Sequence, residues 1–550
     1  MDFRWWFSLW AVAKVVAGLP PLVSPPNSAV ARTQFGAVEG TVVLSRGKLP
    51  VTQWLSIPYA LPPTGTRRFA PPAPWEESYP GGRLRATRAG IYCVQTPYAG
   101  QNASSVEPGQ EDCLVLSIWA PADSRPAALL PVMLWVHGGD FIQGNGDQYN
   151  GTELAAKHNA VVVAINYRLG HLGWLQPVAG KANYGLKDQR EAMRWVHANI
   201  RPFGGNGSRV LLFGESAGAI SVVAHLLSPA SDGLFATALM ESGFPSAKSQ
   251  AVALRIASKF SEAAGCGENI THGDKDVRLA CLRKASLARL LVAAANATAL
   301  PPTATPFDEI GWGPTVDGQR TGLPESPNSA LAKSRLNGGR AALLAGTNAN
   351  EGSVFVYGAY PDGLNASAFA TLMRGLAKVD DGSGRRVVNE TLVALVLAEY
   401  PPNAMGPDNR ALASRAFADF SFTCGTRRLL AHVAEMGQLA GAYRFDQRAA
   451  ADTSPADLGV EHGDEVPFVF DQGSWIGDAG FTPAEEVLAT TIGSIWSNFS
   501  RTGTIPWPGF GRDSGQEKHQ AEWSFRAGAS RLQPYSDSGA CDFWDRNVPL

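Results

Sequence analysis

The sequence predicts an α/β fold in which helices flank a central, mostly parallel sheet. Apolar runs typical of strands occur at 130–136, 160–166, 210–213 and 236–241, and helical patterns at 187–199 and 219–227 alternate with them. Such alternation indicates parallel strands joined by helices that cover both faces of the sheet. The run at 161–165 is apolar at every position, as expected of a strand buried on both sides. Helical stretches at 246–306 and 365–417 are predicted to cover a site at the carboxyl ends of the strands.

Length and composition indicate a neutral globular protein. The chain has 550 residues, 45% of them hydrophobic, and a formal net charge of -2. This balance of charges gives no electrostatic reason to bind nucleic acid or acidic membranes, so we expect neither as a partner. No linker, charge block or internal repeat divides the chain, and we predict one catalytic domain at 30–550.

The amino terminus is predicted to be a secretory signal peptide at 1–18. Its apolar run at 5–13 is too short to span a bilayer, and Val16-Ala17-Gly18 offers the small residues of a cleavage site. Asp2 and Lys14 depart from the usual pattern, and a buried amino-terminal segment is the competing interpretation. The carboxyl end has no hydrophobic tail, so we expect neither an integral membrane segment nor a lipid anchor. These features predict a secreted, extracellular protein.

Six cysteines agree with export, because an even number suits a set of disulfides in an oxidising compartment. Several pairings are formally possible, and spacing alone does not choose among them. The nearest-neighbour choice joins Cys93 to Cys113, Cys266 to Cys281 and Cys424 to Cys541. A zinc site is the competing interpretation, but no Cys-x-x-Cys or paired Cys/His spacing occurs, and no metal or cofactor is predicted.

N-glycosylation sequons are numerous, which favours a glycoprotein if the chain is exported. The sites predicted to be glycosylated are Asn102, Asn150, Asn269, Asn296, Asn365 and Asn389. Two more sequons, at Asn206 and Asn498, lie beside predicted core elements, where a glycan is hard to place.

The pentapeptide Gly214-Glu215-Ser216-Ala217-Gly218 is the most informative motif of the chain. It follows directly on the apolar run at 210–213, and a helical pattern continues after it. A nucleophile elbow needs this context, because small flanking residues let strand and helix approach closely while the serine oxygen stays exposed. An ordinary Gly-rich turn is the competing interpretation. The pattern predicts Ser216 as a catalytic nucleophile.

A serine hydroxyl needs a base, and the base needs an acid that orients it. Folds with this elbow place both later in the chain, in the order serine, acid, histidine. His225 and His432 fall in helical patterns, whereas His462 stands in a loop before an apolar segment. We therefore predict His462 as the base, the alternative being a histidine of a surface loop.

The acid is expected in a loop that follows a strand between the serine and the histidine. A strand pattern at 341–347 places Glu351 in such a loop, and Asp317, in an Asp-Gly turn, is the competitor. The loop His137-Gly138-Gly139-Asp140-Phe141 has the form of an oxyanion loop, and Ala217 would supply a further N–H group. A Gly-Gly turn between strands is the competing interpretation of the loop.

With these residues, the chain resembles the type B carboxylesterases, the family of cholinesterases and fungal lipases that has the α/β-hydrolase fold. The resemblance extends from Gly36 nearly to the end of the chain. Its most specific part is the active-serine signature at 203–218, which matches at every constrained position. Other matching segments are Ile57-Pro58-Tyr59-Ala60, Glu111-Asp112-Cys113-Leu114, Ser117-Ile118-Trp119, Asn166-Tyr167-Arg168, Asp188-Gln189-Arg190, Trp195-Val196 and Trp496-Ser497-Asn498-Phe499. Val115 departs from the family's second signature, where an aromatic residue or threonine is usual.

The resemblance implies a secreted carboxylesterase of the fungal type, with Ser216 as nucleophile, His462 as base and Glu351 as acid. It also implies the nearest-neighbour disulfides, because Cys541-Asp542-Phe543-Trp544 is similar to the family's carboxyl-terminal cysteine segment.

In the family, the oxyanion donors are the second and third residues of a Gly-Gly-Gly loop and the residue after the serine. The resemblance therefore implies Gly139, Asp140 and Ala217 as the donors. Asp140 departs from the pattern, because its carboxylate would repel a developing oxyanion unless it points away or is paired. Our hypothesis is that the Asp140 side chain turns outward.

Departures from the family pattern narrow the range of expected substrates. Cholinesterases place a tryptophan in the first disulfide loop, where it binds a quaternary ammonium, but 93–113 contains no tryptophan. Val354 falls where these enzymes have an aromatic residue that contacts choline, so choline esters are unexpected substrates. The loop at 96–105 is shorter and more polar than the lid of fungal lipases, which disfavours activation at oil surfaces. Candidate pocket aromatics, each with a place in the plain core as the alternative, are Phe244, Trp312 and Phe355.

The sequence thus predicts a secreted serine carboxylesterase that hydrolyses small-molecule or lipid esters through an acyl-enzyme. A lipase or sterol esterase is the enzymatic alternative, which activity on emulsified long-chain esters would discriminate. A non-catalytic adhesion or binding protein is the alternative from another class, because the family includes members without the serine. The presence of Ser216, Glu351 and His462 argues against it.

Overall fold

The structure, a computed structural model, describes residues 29–97, 109–124, 126–272, 274–297, 311–334, 336, 341–380, 386–511, 520–536 and 538–548. The predicted signal peptide and the sequon at Asn102 lie outside these residues. In chain order, the strands are β1 (Val30–Thr33), β2 (Gly36–Glu39), β3 (Thr41–Leu44), β4 (Pro50–Pro58), β5 (Arg83–Arg85), β6 (Val115–Pro121), β7 (Leu130–Val136), β8 (Val161–Ile165), β9 (Gly205–Glu215), β10 (Thr237–Glu241), β11 (Ala342–Asn348), β12 (Lys378–Asp380), β13 (Arg386–Val388), β14 (Ala440–Phe445), β15 (Ala521–Phe525) and β16 (Arg531–Pro534).

Most of these strands form one large mixed sheet, in the order β16-β15-β14-β11-β10-β9-β7-β8-β6-β4-β3. Its centre, from β8 across β7, β9, β10, β11 and β14 to β15, is parallel throughout. Antiparallel pairs complete both edges, with β6, β4 and β3 on one side and β16 on the other. The remaining described strands form a small sheet, β1-β2-β5, and a hairpin, β12-β13. The predicted α/β class is confirmed.

Helices cover both faces of the large sheet. In chain order they are α1 (Thr152–His158), α2 (Gly170–Trp174), α3 (Tyr184–Asn199), α4 (Ala217–Leu227), α5 (Gln250–Ala263), α6 (Glu268–Thr271), α7 (Lys275–Lys284), α8 (Leu287–Ala297), α9 (Pro327–Ala332), α10 (Ser353–Ala359), α11 (Ala366–Leu376), α12 (Glu390–Glu399), α13 (Arg410–Ala418), α14 (Cys424–Glu435), α15 (Val466–Val469), α16 (Pro483–Thr502) and α17 (Ser538–Asn547). A π-helix at Asp419–Thr423 joins α13 to α14. Within the described ranges, none of these helices combines the length and apolarity that a membrane span requires.

Strand β7 shows how the sheet separates two cores, because successive side chains of a strand point to opposite faces. Val132, Leu134 and Val136 join a cluster that includes α3 and α4. Met133 and Trp135 join a second cluster that includes α1, α15 and α16. Burial on both faces accounts for the continuous apolar runs of the central strands.

A third cluster packs helices α10 to α13 against α17. The disulfide between Cys424 and Cys541 lies within it. The other disulfides join Cys93 to Cys113 and Cys266 to Cys281, so the bonded pairs are the nearest-neighbour ones. That residues 30–550 form a single domain stays a prediction.

The sequons that the structure describes are mostly at the surface. The exposed side chains are those of Asn150, Asn269, Asn296, Asn365, Asn389 and Asn498, and Asn206 is half-buried. Asn498 differs from the expectation, because it points to solvent from α16 although its neighbours Ser497 and Phe499 are buried. Glycosylation at these positions stays a prediction.

Candidate active site

Ser216 lies at the turn between β9 and α4 in a backbone conformation that L-residues rarely adopt, with φ 54° and ψ -121°. Glycine is required on both sides of it. A Cβ atom on Gly214 would lie 2.4 Å from the Val136 carbonyl oxygen, and one on Gly218 only 2.0 Å from the same atom. The Glu241 carbonyl oxygen accepts the Ser216 N–H at 3.0 Å. This arrangement has the geometry of a nucleophile elbow.

The predicted base and acid are side by side, although 111 positions separate them in the chain. His462 Nδ1 lies 2.6 Å from Glu351 Oε2. The other carboxylate oxygen accepts the Asn348 N–H at 2.7 Å, and Glu351 is fully buried. An acid in this position holds the imidazole tautomer that has its proton on Nδ1, which leaves Nε2 free to accept a proton.

The competing residues have other partners. Asp317 accepts N–H groups of its own turn. His225 is buried in α4, where its ring nitrogens contact Gln189 and Ser231. His432 bonds a carbonyl oxygen of its own helix. The structure therefore places neither of these histidines beside Glu351, and the partners of Asp317 lie in its own turn rather than at His462.

The elbow and the loop that contains His462 meet at Glu215. Glu215 Oε1 lies 3.1 Å from His462 Nε2, which is close enough for an ion pair but lacks the geometry of a hydrogen bond. Nε2 is buried and has no hydrogen-bond partner among the described residues. The nitrogen that a base would use is thus next to the residue that precedes Ser216. In unliganded enzymes, catalytic hydrogen bonds are often long and tighten only with substrate.

The predicted oxyanion loop lies against the elbow, because a Cβ atom on Gly138 would be 3.1 Å from Ser216 Cβ. Gly139 and Asp140 follow in left-handed conformations, with φ 96° and 53°. Within the described part of the chain, the N–H groups of Gly139, Asp140 and Ala217 donate to no protein acceptor. A role of these N–H groups as oxyanion donors stays a prediction.

The Asp140 side chain is exposed to water. Desolvation by the surrounding protein atoms raises the pKa of Asp140 to about 7, against the opposing effect of Lys248. The Lys248 ammonium donates to the Gly313 carbonyl oxygen at 3.0 Å. That its side chain turns away from the oxyanion stays a prediction.

Carboxylates surround the imidazole. Burial opposes the charged form of His462, but Glu215, Glu351 and Glu465 outweigh this effect and raise the pKa of His462 to about 9. Burial also raises the pKa values of Glu215 and Glu465, despite the imidazole beside them. An imidazolium at His462 is therefore strongly stabilised.

Four phenylalanines, which we call the aromatic wall, lie beside the imidazole. The ring centres of Phe355 and Phe422 are 5.2 and 5.0 Å from that of His462. Phe244 and Phe417 pack edge-on against Phe422. The aromatic wall thus includes two of the predicted pocket residues, and it places apolar surface next to the reacting groups.

The other two predicted pocket residues, Trp312 and Val354, lie in different surroundings. The ring of Trp312 is buried against Phe260 and near His171, and none of its ring contacts among the described residues is to His462. Trp312 therefore lies in the hydrophobic core, which was the alternative to a place in the pocket. Val354 is half-buried on α10, next to Phe355 of the aromatic wall.

The sequence interpretation missed Glu465, Glu241, Phe417 and Phe422. Glu465 belongs to the same loop as His462, so the acidic character of that loop was an available signal. Phe417 lies near the end of α13 and Phe422 lies in the π-helix that follows, where no periodic pattern distinguishes a pocket residue from a core residue.

A large sheet with a tight strand-turn-helix elbow, and with an acid and a histidine in later loops, defines the α/β-hydrolase class. The profile of the "Carboxylesterase family" matches residues 27–535. Acetylcholinesterase 1 of Caenorhabditis elegans is 31% identical in an alignment of 552 residues that spans 93% of this chain and 86% of that protein. Acetylcholinesterase 1 of Caenorhabditis briggsae is 32% identical over 555 residues, with the same two coverages. The chain therefore belongs to the carboxylesterase family and is a carboxylic ester hydrolase.

We expect Glu215→Gln to lower the pKa of His462, because a carboxylate 3.1 Å from Nε2 favours the imidazolium and an amide does not. The shift should be about one pH unit, measured by NMR titration of labelled histidine. Glu461→Gln is the matched comparison and should give a smaller shift, since the charge of Glu461 also interacts with the adjacent imidazole but less strongly than that of Glu215. Equal shifts in the two variants would contradict the assignment to Glu215.

Proposed function

We propose that this chain is a secreted serine carboxylesterase in which Ser216, His462 and Glu351 form the catalytic triad. The observation that supports it most is the contact between His462 and Glu351, together with the position of His462 Nε2 next to Glu215, the residue before the strained serine. Unused N–H groups on the adjoining loop agree with acyl-transfer chemistry. The three disulfides support export, because such bonds persist in oxidising compartments.

The reaction has two chemically similar steps. Ser216 Oγ attacks the ester carbonyl carbon while His462 Nε2 takes the hydroxyl proton. The carbon–oxygen bond to the alcohol then breaks, and the imidazolium gives its proton to the departing alkoxide. Water next attacks the acyl carbon, His462 takes its proton, and Ser216 recovers that proton as the carboxylic acid leaves.

The loop and the carboxylates would stabilise the two charges that develop. The N–H groups of Gly139, Asp140 and Ala217 would bind the oxyanion, and one such donor lowers the barrier to acyl transfer by about 3 kcal/mol. Glu351 and Glu215 would stabilise the imidazolium that forms at the same time. Because these carboxylates raise the pKa of His462 to about 9, kcat/KM should increase with pH up to that region.

For the substrate, we propose an uncharged, water-soluble carboxylic ester. Its support is the aromatic wall beside His462, the absence of tryptophan from 93–113 and the aliphatic Val354. A choline ester is the second candidate, because the two nematode relatives are acetylcholinesterases. A tryptophan face is the best binding surface for a quaternary ammonium, and this loop does not offer one.

A fluorophosphonate probe should label the wild-type chain on Ser216, because an activated serine attacks the phosphorus as it does a carbonyl carbon. Ser216→Ala should abolish both labelling and ester hydrolysis, whereas Ser221→Ala, in the helix that follows, should retain labelling. Peptide mapping of the labelled protein identifies the site. Labelling that persists in Ser216→Ala would refute the proposed nucleophile.

A choline ester and its uncharged carbon isostere should have kcat/KM values within about threefold of each other, because no tryptophan face rewards the cation. Val354→Tyr should then raise the preference for the choline ester by about 3–5-fold, since one exposed cation–π contact contributes about 0.5–1 kcal/mol. Val354→Leu is the control of similar size without a π face. A wild-type preference for choline of a hundredfold would favour the second candidate.

We expect Asp140→Asn to change kcat by less than about twofold at every pH, because a side chain that turns away from the oxyanion does not repel it whether or not it is ionised. The measurement is the ratio of kcat for variant and wild type across the pH range, with a chromogenic acetate ester. A ratio that increases as the pH passes through the Asp140 pKa, which is raised to about 7, would show that the ionised carboxylate repels the oxyanion and would contradict the outward orientation.

A further inference from the structure

Glu241 is a fully buried residue that the reaction above does not use. It ends β10, in register with Glu215 on β9 and with Gly346 on β11. Residues in register on neighbouring strands have their side chains on the same face, so the two glutamates are cross-strand neighbours. The main chain of Glu241 contacts the elbow directly, since its carbonyl oxygen accepts the Ser216 N–H at 3.0 Å.

The Glu241 carboxyl group has one hydrogen-bond donor. Trp496 Nε1 donates to Oε1 at 2.8 Å, whereas Oε2 is buried without a partner among the described residues. The Tyr443 ring packs against Trp496 at 5.2 Å and covers Gly346, and its hydroxyl is also buried without a partner in this part of the chain. A carboxylate with a single donor is poorly solvated compared with Glu351, which has two.

No cation faces Glu241 from the described elements packed around it. The titratable and polar groups that do face it are Glu215 on β9, Glu465 before α15, Tyr149 after β7, Tyr443 on β14 and Trp496 on α16. The imidazole of His462 already contacts Glu351 and Glu215. A buried charge without a counter-ion is unfavourable enough that the group binds a proton instead.

We propose that Glu241 is a positioning residue that stays protonated during turnover. As a neutral acid, it ties the end of β10 to Trp496 and so fixes the carbonyl oxygen that holds the Ser216 N–H. It does this without adding a further negative charge to those around His462. This inference rests on the proposed role of Ser216.

The direction of the Glu241 pKa agrees with this role. Burial raises it well above its ordinary value, the charge of Glu465 adds to the increase, and the Trp496 hydrogen bond opposes it. Because the unfolded chain ionises Glu241 near the ordinary value and the folded chain does not, folding must take up a proton at higher pH. The wild type therefore loses stability, relative to a neutral variant, as pH increases above the unfolded pKa.

Glu241→Gln tests the proposal, because the amide keeps an acceptor for Trp496 and a donor but cannot ionise. The titration of His462 should move by less than about 0.3 pH unit, against about one unit for Glu215→Gln. The melting temperature should equal that of the wild type near pH 4, where both states are protonated, and exceed it by about 2 °C near pH 8.

Trp496→Phe is the second variant, since it removes the N–H donor without removing a charge. We expect a kcat about 3–10-fold lower, because the end of β10 is held less firmly, with an unmoved His462 titration. If Glu241→Gln lowered the pKa of His462 as much as Glu215→Gln does, Glu241 would be shown to be ionised and the proposal would be overturned. The absence of a pH-dependent gain in melting temperature would also overturn it. Neither readout requires catalysis, so a failure of the proposed nucleophile would be seen separately, in the probe labelling.

Discussion

The contact between the Val136 carbonyl oxygen and the two glycines of the elbow is the constraint on which the site depends. A methyl group at Gly214 or Gly218 would overlap that oxygen, so β7, β9 and α4 meet only because both side chains are absent. The same proximity brings the predicted oxyanion loop, which continues from β7, against Ser216. Backbone strain at the serine costs about 1–3 kcal/mol, and the packed sheet on both sides maintains it.

Around the elbow, one imidazole faces three buried carboxyl groups, those of Glu215, Glu351 and Glu465. Burial alone would favour the protonated forms of Glu215 and Glu465 and the neutral form of the imidazole. Because the imidazole and the carboxyl groups are close together, they titrate as a coupled set, in which the imidazole is charged and some of the acids keep their protons. The surroundings of His462 thus already favour the positive charge that its imidazole would acquire during the proposed acyl transfer.

The parts of the site that could be predicted from sequence are those whose residues are close together in the chain or follow a strand. Ser216 and its glycines form one pentapeptide, and Glu351 and His462 stand in loops beside apolar segments. Contacts that depend on strand register could not be predicted, because the apolar pattern does not say which residue faces which across β9 and β10. Trp312 shows a second limit, since a buried aromatic residue has the same pattern in a pocket and in a core.

The disulfide between Cys424 and Cys541 has a consequence for substrate choice. Phe422 of the aromatic wall lies just before Cys424, and Cys541 belongs to α17, close to the carboxyl end of the chain. The aromatic wall is therefore covalently linked to α17, which is far from the elbow in sequence. Loss of α17, or reduction of the bond, would loosen the aromatic wall while the sheet and the elbow stay intact. Discrimination among esters would then be lost before the capacity to cleave them.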